Sequence, residues 1–175
     1  MRRSIPVVAN LATALVFSGC ATAQAPVSGK TVGAPGTTSS PIETSSGFAA
    51  DVVAAVNAER ARVGLGPLAV NARLMKAARI QAEQMVKFRL IEHTIPRAPH
   101  PDMKSRFKAV GYAYSVAAEN LAWNQANPTA AVSAWMASKR HRANILDPRL
   151  TQTGVAMVRN ARGEPYWVQV FGTPR

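Results

Sequence analysis

From Gly47 onward, apolar positions recur at helical spacing, punctuated by short polar or glycine-containing loops. Phe48, Val52, Val56 and Val63 fall on one helix face, and Ser45 or Ser46 can cap that helix at its start. Gly64, Gly66 and Pro67 end it. Asn71 can cap a second helix with the buried stripe Leu74, Ala78, Ala82 and Met85, while Arg73, Lys76, Arg79, Glu83 and Lys87 form its solvated face. So much alanine on the inward side predicts close packing against a neighbour. That helix runs out near Arg89 or Leu90. Asp102 can cap a short helix through Phe107 and Val110, closed by Gly111. Asn127-Pro128 supplies a cap and a first-turn proline for a helix burying Ala131, Val132, Trp135 and Met136. The period then changes. Gly154 to Val158 and Tyr166 to Phe171 are β-branched and aromatic, with Asn160-Ala161-Arg162-Gly163 as the turn of a hairpin. Both runs are continuously apolar, as in strands covered on two faces. Tyr114-Ser115-Val116 predicts a further short strand.

The first 46 residues follow no such pattern. Met1-Arg2-Arg3 precedes an apolar run, Ile5 to Phe17, that is too short to span a bilayer as a helix, and Ser18-Gly19-Cys20 follows. Ala21 to Ser46 is rich in Ala, Pro, Gly, Ser and Thr and reads as a flexible tether. Cys20 is the only cysteine, so no internal disulfide can form. Phe17-Ser18-Gly19-Cys20 resembles the bacterial lipobox. The resemblance implies a signal peptide over 1–19, a lipidated Cys20 with its tether over 20–46, and a domain over 47–175. Several acyl chains on one cysteine would anchor stably, at about 0.8 kcal/mol per buried methylene. Ala21 rather than Asp after the cysteine implies, by the same likeness, the periplasmic face of an outer membrane. The other reading is a soluble leader cleaved near Ala21-Thr22-Ala23, with Cys20 discarded.

Charge narrows the partners. The formal charge is +12, two of it from Arg2 and Arg3. An exported chain has no nucleic acid to meet, so the natural partners are anionic envelope lipid, lipopolysaccharide or peptidoglycan. The equal alternative is that the arginines keep a small domain soluble.

One carboxylate, Glu119, interrupts the nearly apolar run Ser115-Val-Ala-Ala-Glu-Asn-Leu-Ala-Trp123. A buried carboxylate needs a partner, and among three histidines His93 and His141 are the candidates. His100, flanked by prolines, is expected to be exposed and without a role. Trp123, Trp135 and Trp167 either line an apolar groove or fill the core, the latter preferred for Trp135 and Trp167.

Two groups of residues carry a family resemblance. Asn57, Glu59, Arg60, Gly64-Leu65, Pro67-Leu68, Asn71, Leu74, Ala77-Ala78, Ala82 and Met85 resemble the opening of bacterial CAP (SCP/PR-1-like) domains. Trp135-Met136-Ala137-Ser138-Lys139-Arg140-His141-Arg142-Ala143-Asn144-Ile145-Leu146 is close to the family's Trp-Met-x-Ser-x-x-His-Arg-x-Asn-Ile-Leu. Glu119-Asn120-Leu121-Ala122 is similar to its Gly-Glu-Asn-(Ile/Leu)-Ala signature, with Ala118 in place of the glycine, and Arg106…Gly111-Tyr112 keeps its spacing. The resemblance implies an α+β fold, a three-layer α-β-α sandwich with a small, mainly antiparallel sheet between helices. It also implies a cleft around His93, Glu119 and His141. Ser138 stands where other members carry a second acid, and Tyr166 or Trp167 where they carry a second histidine. Lys139-Arg140 replaces the more common Pro-Gly, and two charges there would tighten the helix end and disfavour protonation of His141.

Three readings of the cleft stay open. His93, Glu119 and His141 could hold zinc or another divalent metal with a position left for water. They could act as acid and base, although no nucleophile elbow or His-Glu-x-x-His helix accompanies them. Or Glu119 and a histidine form a pair that fixes the loops around a ligand. The corresponding functions are a non-catalytic cleft for an envelope lipid, glycan or peptide, with Ser138 and Tyr166 as further contacts, and a hydrolase acting on envelope peptide or glycan. Glu119→Gln preserves shape and is the substitution expected to separate them.

Overall fold

A computed structural model describes residues 45–175. The leader, Cys20 and the tether lie outside the described residues, except that Ser45 and Ser46 already belong to the first helix. In order the elements are α1 (Ser45–Ala61), β1 (Ala69–Val70), α2 (Ala72–Phe88), α3 (Met103–Ala109), β2 (Tyr114–Trp123), α4 (Pro128–Ala137), α5 (Lys139–Ile145), β3 (Gln152–Arg159) and β4 (Pro165–Pro174). No helix among the described residues is long and apolar enough to cross a membrane.

The sheet has the order β1-β3-β4-β2, with only the two-residue β1 running parallel to its neighbour. Alternation along β4 divides its side chains between two cores. Trp167 and Phe171 join Val52, Val56, Val132 and Trp135 from α1 and α4. Val168 and Val170 face the other way, onto Leu74, Ala78 and Met85 of α2 and Phe107 of α3. Both faces of the hairpin are therefore covered, which is why its strands read as continuous apolar runs. Close packing by α2 has a specific cause. Gly154 of β3 passes so near that a Cβ there would lie 2.1 Å from the Leu74 carbonyl carbon, so no side chain fits.

Local signals explain most element boundaries. Asn71 accepts from the Arg73 and Leu74 N–H groups, Asp102 forms a capping box with Ser105, and Asn127 accepts from Ala130 N–H ahead of the Pro128 turn. Three expectations change. Val63 lies beyond α1 and is 52% exposed; the inward face uses Ala49 and Val53 as well as Val52 and Val56. The predicted short strand is ten residues long and runs through Glu119 and Asn120 to Trp123. Ala118 therefore sits in extended backbone, where no positive φ is called for. Lys139-Arg140 does not end a helix: the chain is extended at Ser138, and α5 begins after it.

Asn57 and Arg60 show what the α1 pattern is for. The Asn57 side chain donates to Leu68 C=O and accepts from Leu68 N–H, at 3.2 and 2.8 Å. Buried Arg60 donates to the carbonyls of Gly66, Ile145, Asp147 and Leu150. One guanidinium thus satisfies backbone acceptors from two loops, holding the exit of α5 against the end of α1.

Candidate functional site

β2 is an edge strand, and the cleft lies along its free side. Asn124 N–H donates to Pro165 C=O at 2.8 Å, so the even-numbered residues of β2 exchange ladder bonds with β4 and the odd ones turn their backbone groups outward. The Glu119 carbonyl accepts from Asn144 Nδ2 at 3.3 Å and the Leu121 carbonyl from Trp135 Nε1 at 3.0 Å. Side chains alternate faces. Glu119 points to the layer of α2 and α3, while Asn120 points to the layer of α5, donating to His141 C=O at 3.1 Å and accepting from Asn144 at 2.9 Å.

Glu119 is almost wholly buried, and each of its carboxylate oxygens has a partner. Oε2 accepts from Arg106 Nη2 at 2.7 Å, and Arg106 is itself fully buried. Oε1 lies 2.9 Å from His93 Nδ1, and the His93 side chain is 54% exposed. An ionised carboxylate only accepts, so the hydrogen-bond network assigns the proton to Nδ1 and leaves Nε2 without a protein partner among the described residues. The loop carrying His93 is fixed from below by α2: Gln81 donates to Glu92 C=O at 2.6 Å, and Gln84 exchanges two bonds with the backbone of His100. His100 is half-buried and serves through that backbone contact.

His141 stands in the first turn of α5, across a cavity of about 860 Å3 from His93 and Glu119. Its pKa is lowered, first by burial, then by His93 and Arg140. The expected effect of Arg140 is present, but burial dominates it. Ser138 lines the same cavity, and among the described residues no hydrogen bond joins it to His141.

The structure brings His93, Glu119, His141 and Ser138 together and leaves Tyr166 out. Tyr166 pairs with Trp123, four residues beyond Glu119 on β2, which is roughly 13 Å along the strand. It sits nearly buried beneath Trp123 in a different cavity, so its assignment to this cleft is corrected. Arg106, given no role from sequence, proves central. The one sequence signal pointing to it is the acceptor demand of Glu119, which two histidines are enough to meet on paper. The tryptophans divide as expected: Trp135 and Trp167 are core residues.

As a metal site the donors fit poorly. Among the described residues no three His, Cys, Asp or Glu side chains form a group that could hold an ion. A permanent guanidinium cation on one oxygen of Glu119 also competes with any divalent ion there. The arrangement can instead orient His93, present its Nε2 to a ligand, and keep the imidazole of His141 neutral.

A family model described as the cysteine-rich secretory protein family, CAP, matches residues 53–171. The uncharacterized protein YkwD of Bacillus subtilis is 38% identical over 136 residues, 77% of this chain and 50% of that protein. The chain thus spans about half the length of this relative. Among solved structures, an extracellular SCP-domain protein from Bacillus anthracis superposes with TM-score 0.67 at 23% identity, covering 73% of this chain and 41% of that one. An outer surface protein from Borrelia burgdorferi gives 0.64 at 19%, covering 71% and 90%.

Two predictions come from this geometry. Arg106→Met strands the buried carboxylate and should cost about 3–5 kcal/mol in urea unfolding, most of which returns in Arg106→Met/Glu119→Leu. The second concerns pH. The folded-state pKa of His141 lies below the ordinary 6.5, so the unfolded chain binds the proton more readily. Stability is intact above that pH and is lost as pH falls through the lowered folded value. An NMR titration should place the His141 midpoint below 6.5, and His141→Gln should flatten the corresponding part of the stability–pH curve.

Proposed function

The chain belongs to the CAP (cysteine-rich secretory protein) family, and we propose that it is an extracytoplasmic, lipid-anchored domain whose β2-edge cleft binds an anionic envelope ligand without turning it over. The observation that carries this reading is the double engagement of Glu119. Both carboxylate oxygens are committed, one to a buried arginine, so neither is offered to a substrate proton or a reacting carbon. A base would have to be His93 or His141, and among the described residues no hydroxyl is hydrogen-bonded to either imidazole. What faces the cavity with a free positive charge is Lys104 and Arg140. Asp102 also lines it, but its carboxylate is spent on the Ser105 N–H at the start of α3. A lining of this kind suits phosphate or carboxylate groups on lipid, lipopolysaccharide or peptidoglycan. Anchoring rests on the sequence, where Cys20 ends the apolar leader.

Glu119→Gln is not the clean probe that its shape suggests, because it leaves Arg106 buried beside a neutral amide. The sharper test compares Lys104→Gln/Arg140→Gln with His93→Gln in co-sedimentation with peptidoglycan sacculi, lipopolysaccharide and phosphatidylglycerol vesicles. The double variant should bind one of these about tenfold more weakly, with a reduced salt dependence, and no probe should be shortened or deacylated on long incubation. Products that disappear in His93→Gln would establish the hydrolase instead. For the anchor, labelling with an alkyne fatty acid should mark the full chain and be lost in Cys20→Ser; labelling that persists in the variant, or never appears, would remove the anchor from this reading.

A further inference from the structure

A second concave site lies away from the cleft, where the β3–β4 turn meets the end of α2. Trp123 and Tyr166 form its wall, Lys87 and Arg89 come from α2 and its cap, and Arg162 and Glu164 come from the turn; the volume is about 440 Å3. It shares no lining residue with the His93–Glu119–His141 cleft.

Three features set this place apart. Trp123 is 40% exposed, whereas Trp135 and Trp167 are 1% and 0% exposed. Buried Tyr166 supports the indole from one side, with ring centroids 6.4 Å apart at 53°. Three cations surround it, and among the described residues Lys87, Arg89 and Arg162 enter no ion pair. The one carboxylate in the wall, Glu164, accepts from Asn160. Finally, Arg89 and Asn124, at φ 55° and 67°, are the two non-glycine residues with positive φ among those described. Arg89 lines the site and Asn124 directly follows Trp123. A backbone conformation that favours glycine is thus adopted by an arginine at one edge of the site and by the residue after the exposed tryptophan at the other.

We propose that this site binds an anionic sugar. A pyranose ring lies on the face of Trp123, and its carboxylate or phosphate is held by Arg89, Arg162 and Lys87. The weakly positive C–H face of a pyranose complements the negative face of the indole. Guanidinium forks match the planar or tetrahedral oxygens of the acidic group. Glu164 and Asn160 supply an acceptor and a donor for ring hydroxyls. A concave wall with polar partners fits a discrete sugar better than a flat lipid surface, although Leu90 and Ile91 are also exposed just beyond Arg89.

The proposal is independent of the cleft, and its test alters no cleft residue. Since two of the three tryptophans are buried, a ligand-dependent change in the full chain's fluorescence reports Trp123. The probes are N-acetylmuramic acid, N-acetylglucosamine 1-phosphate, neutral N-acetylglucosamine, inorganic phosphate and phosphatidylglycerol vesicles. A saturable change with one or both acidic sugars is expected, at least about tenfold tighter than with the neutral sugar or phosphate alone. Preference for the carboxylate or the phosphate distinguishes a muramyl from a phosphosugar source. Trp123→Ala should abolish the response with the remaining emission unchanged, and Arg162→Gln on the exposed turn should weaken it about tenfold. Equal binding of the neutral sugar, equal binding of phosphate, or a response to vesicles alone would overturn the proposal.

Discussion

The buried ion pair between Arg106 and Glu119 is the contact on which the cleft depends. Arg106 projects from α3, Glu119 from the edge strand β2, and His93 hangs from a loop that follows α2. Each of these elements has its own packing, and this cluster joins all three at the cavity. Taking both charges out of water is costly, and an apolar pair of similar shape would stabilise the fold about as well. What an apolar pair would not supply is an oriented imidazole at the mouth of the cleft. The half-exposed His93 is aimed by a carboxylate that is itself aimed by a guanidinium, so the solvent-facing group inherits the rigidity of the core.

The same logic explains how much was legible in the sequence. Helix caps at Asn71, Asp102 and Asn127, the alanine stripe of α2 and the hairpin were all local, and local rules recovered them. The demand of Glu119 for a partner was legible too, because an isolated carboxylate in an apolar run is a conspicuous liability. Its main partner was not. Arg106 lies in a short helix among other basic residues, Lys104 and Lys108, and nothing in composition distinguishes the buried cation from the solvated ones. Tyr166 failed for a related reason. Its place at the head of the final strand suggested the cleft, but the antiparallel register carries that end of β4 to the far end of β2. Ser138 illustrates a third limit: its sequence context reads as the end of one helix, whereas the chain is extended there and a second helix starts directly after it.

Family membership fixes the scaffold and leaves the chemistry to the individual chain. A model matching residues 53–171 covers both layers and the sheet, yet this sequence departs from the family pattern at positions tied to the cleft. Here Ser138 lines the cleft beside His141, and among the described residues no third metal-ligating side chain joins the group. With a guanidinium beside Glu119 and cations on the rim, the balance of groups is one for holding negative charge.

The edge of β2 has one more consequence. Its outward carbonyls at Glu119 and Leu121 are taken by the side chains of Asn144 and Trp135. An edge strand is ordinarily a template on which another chain can form a ladder. Here two helix-borne donors interrupt the row of acceptors, and a second strand sliding alongside would find its N–H groups unmatched there. That keeps copies of the domain from zipping together along this edge while leaving the rest of the groove accessible to smaller molecules.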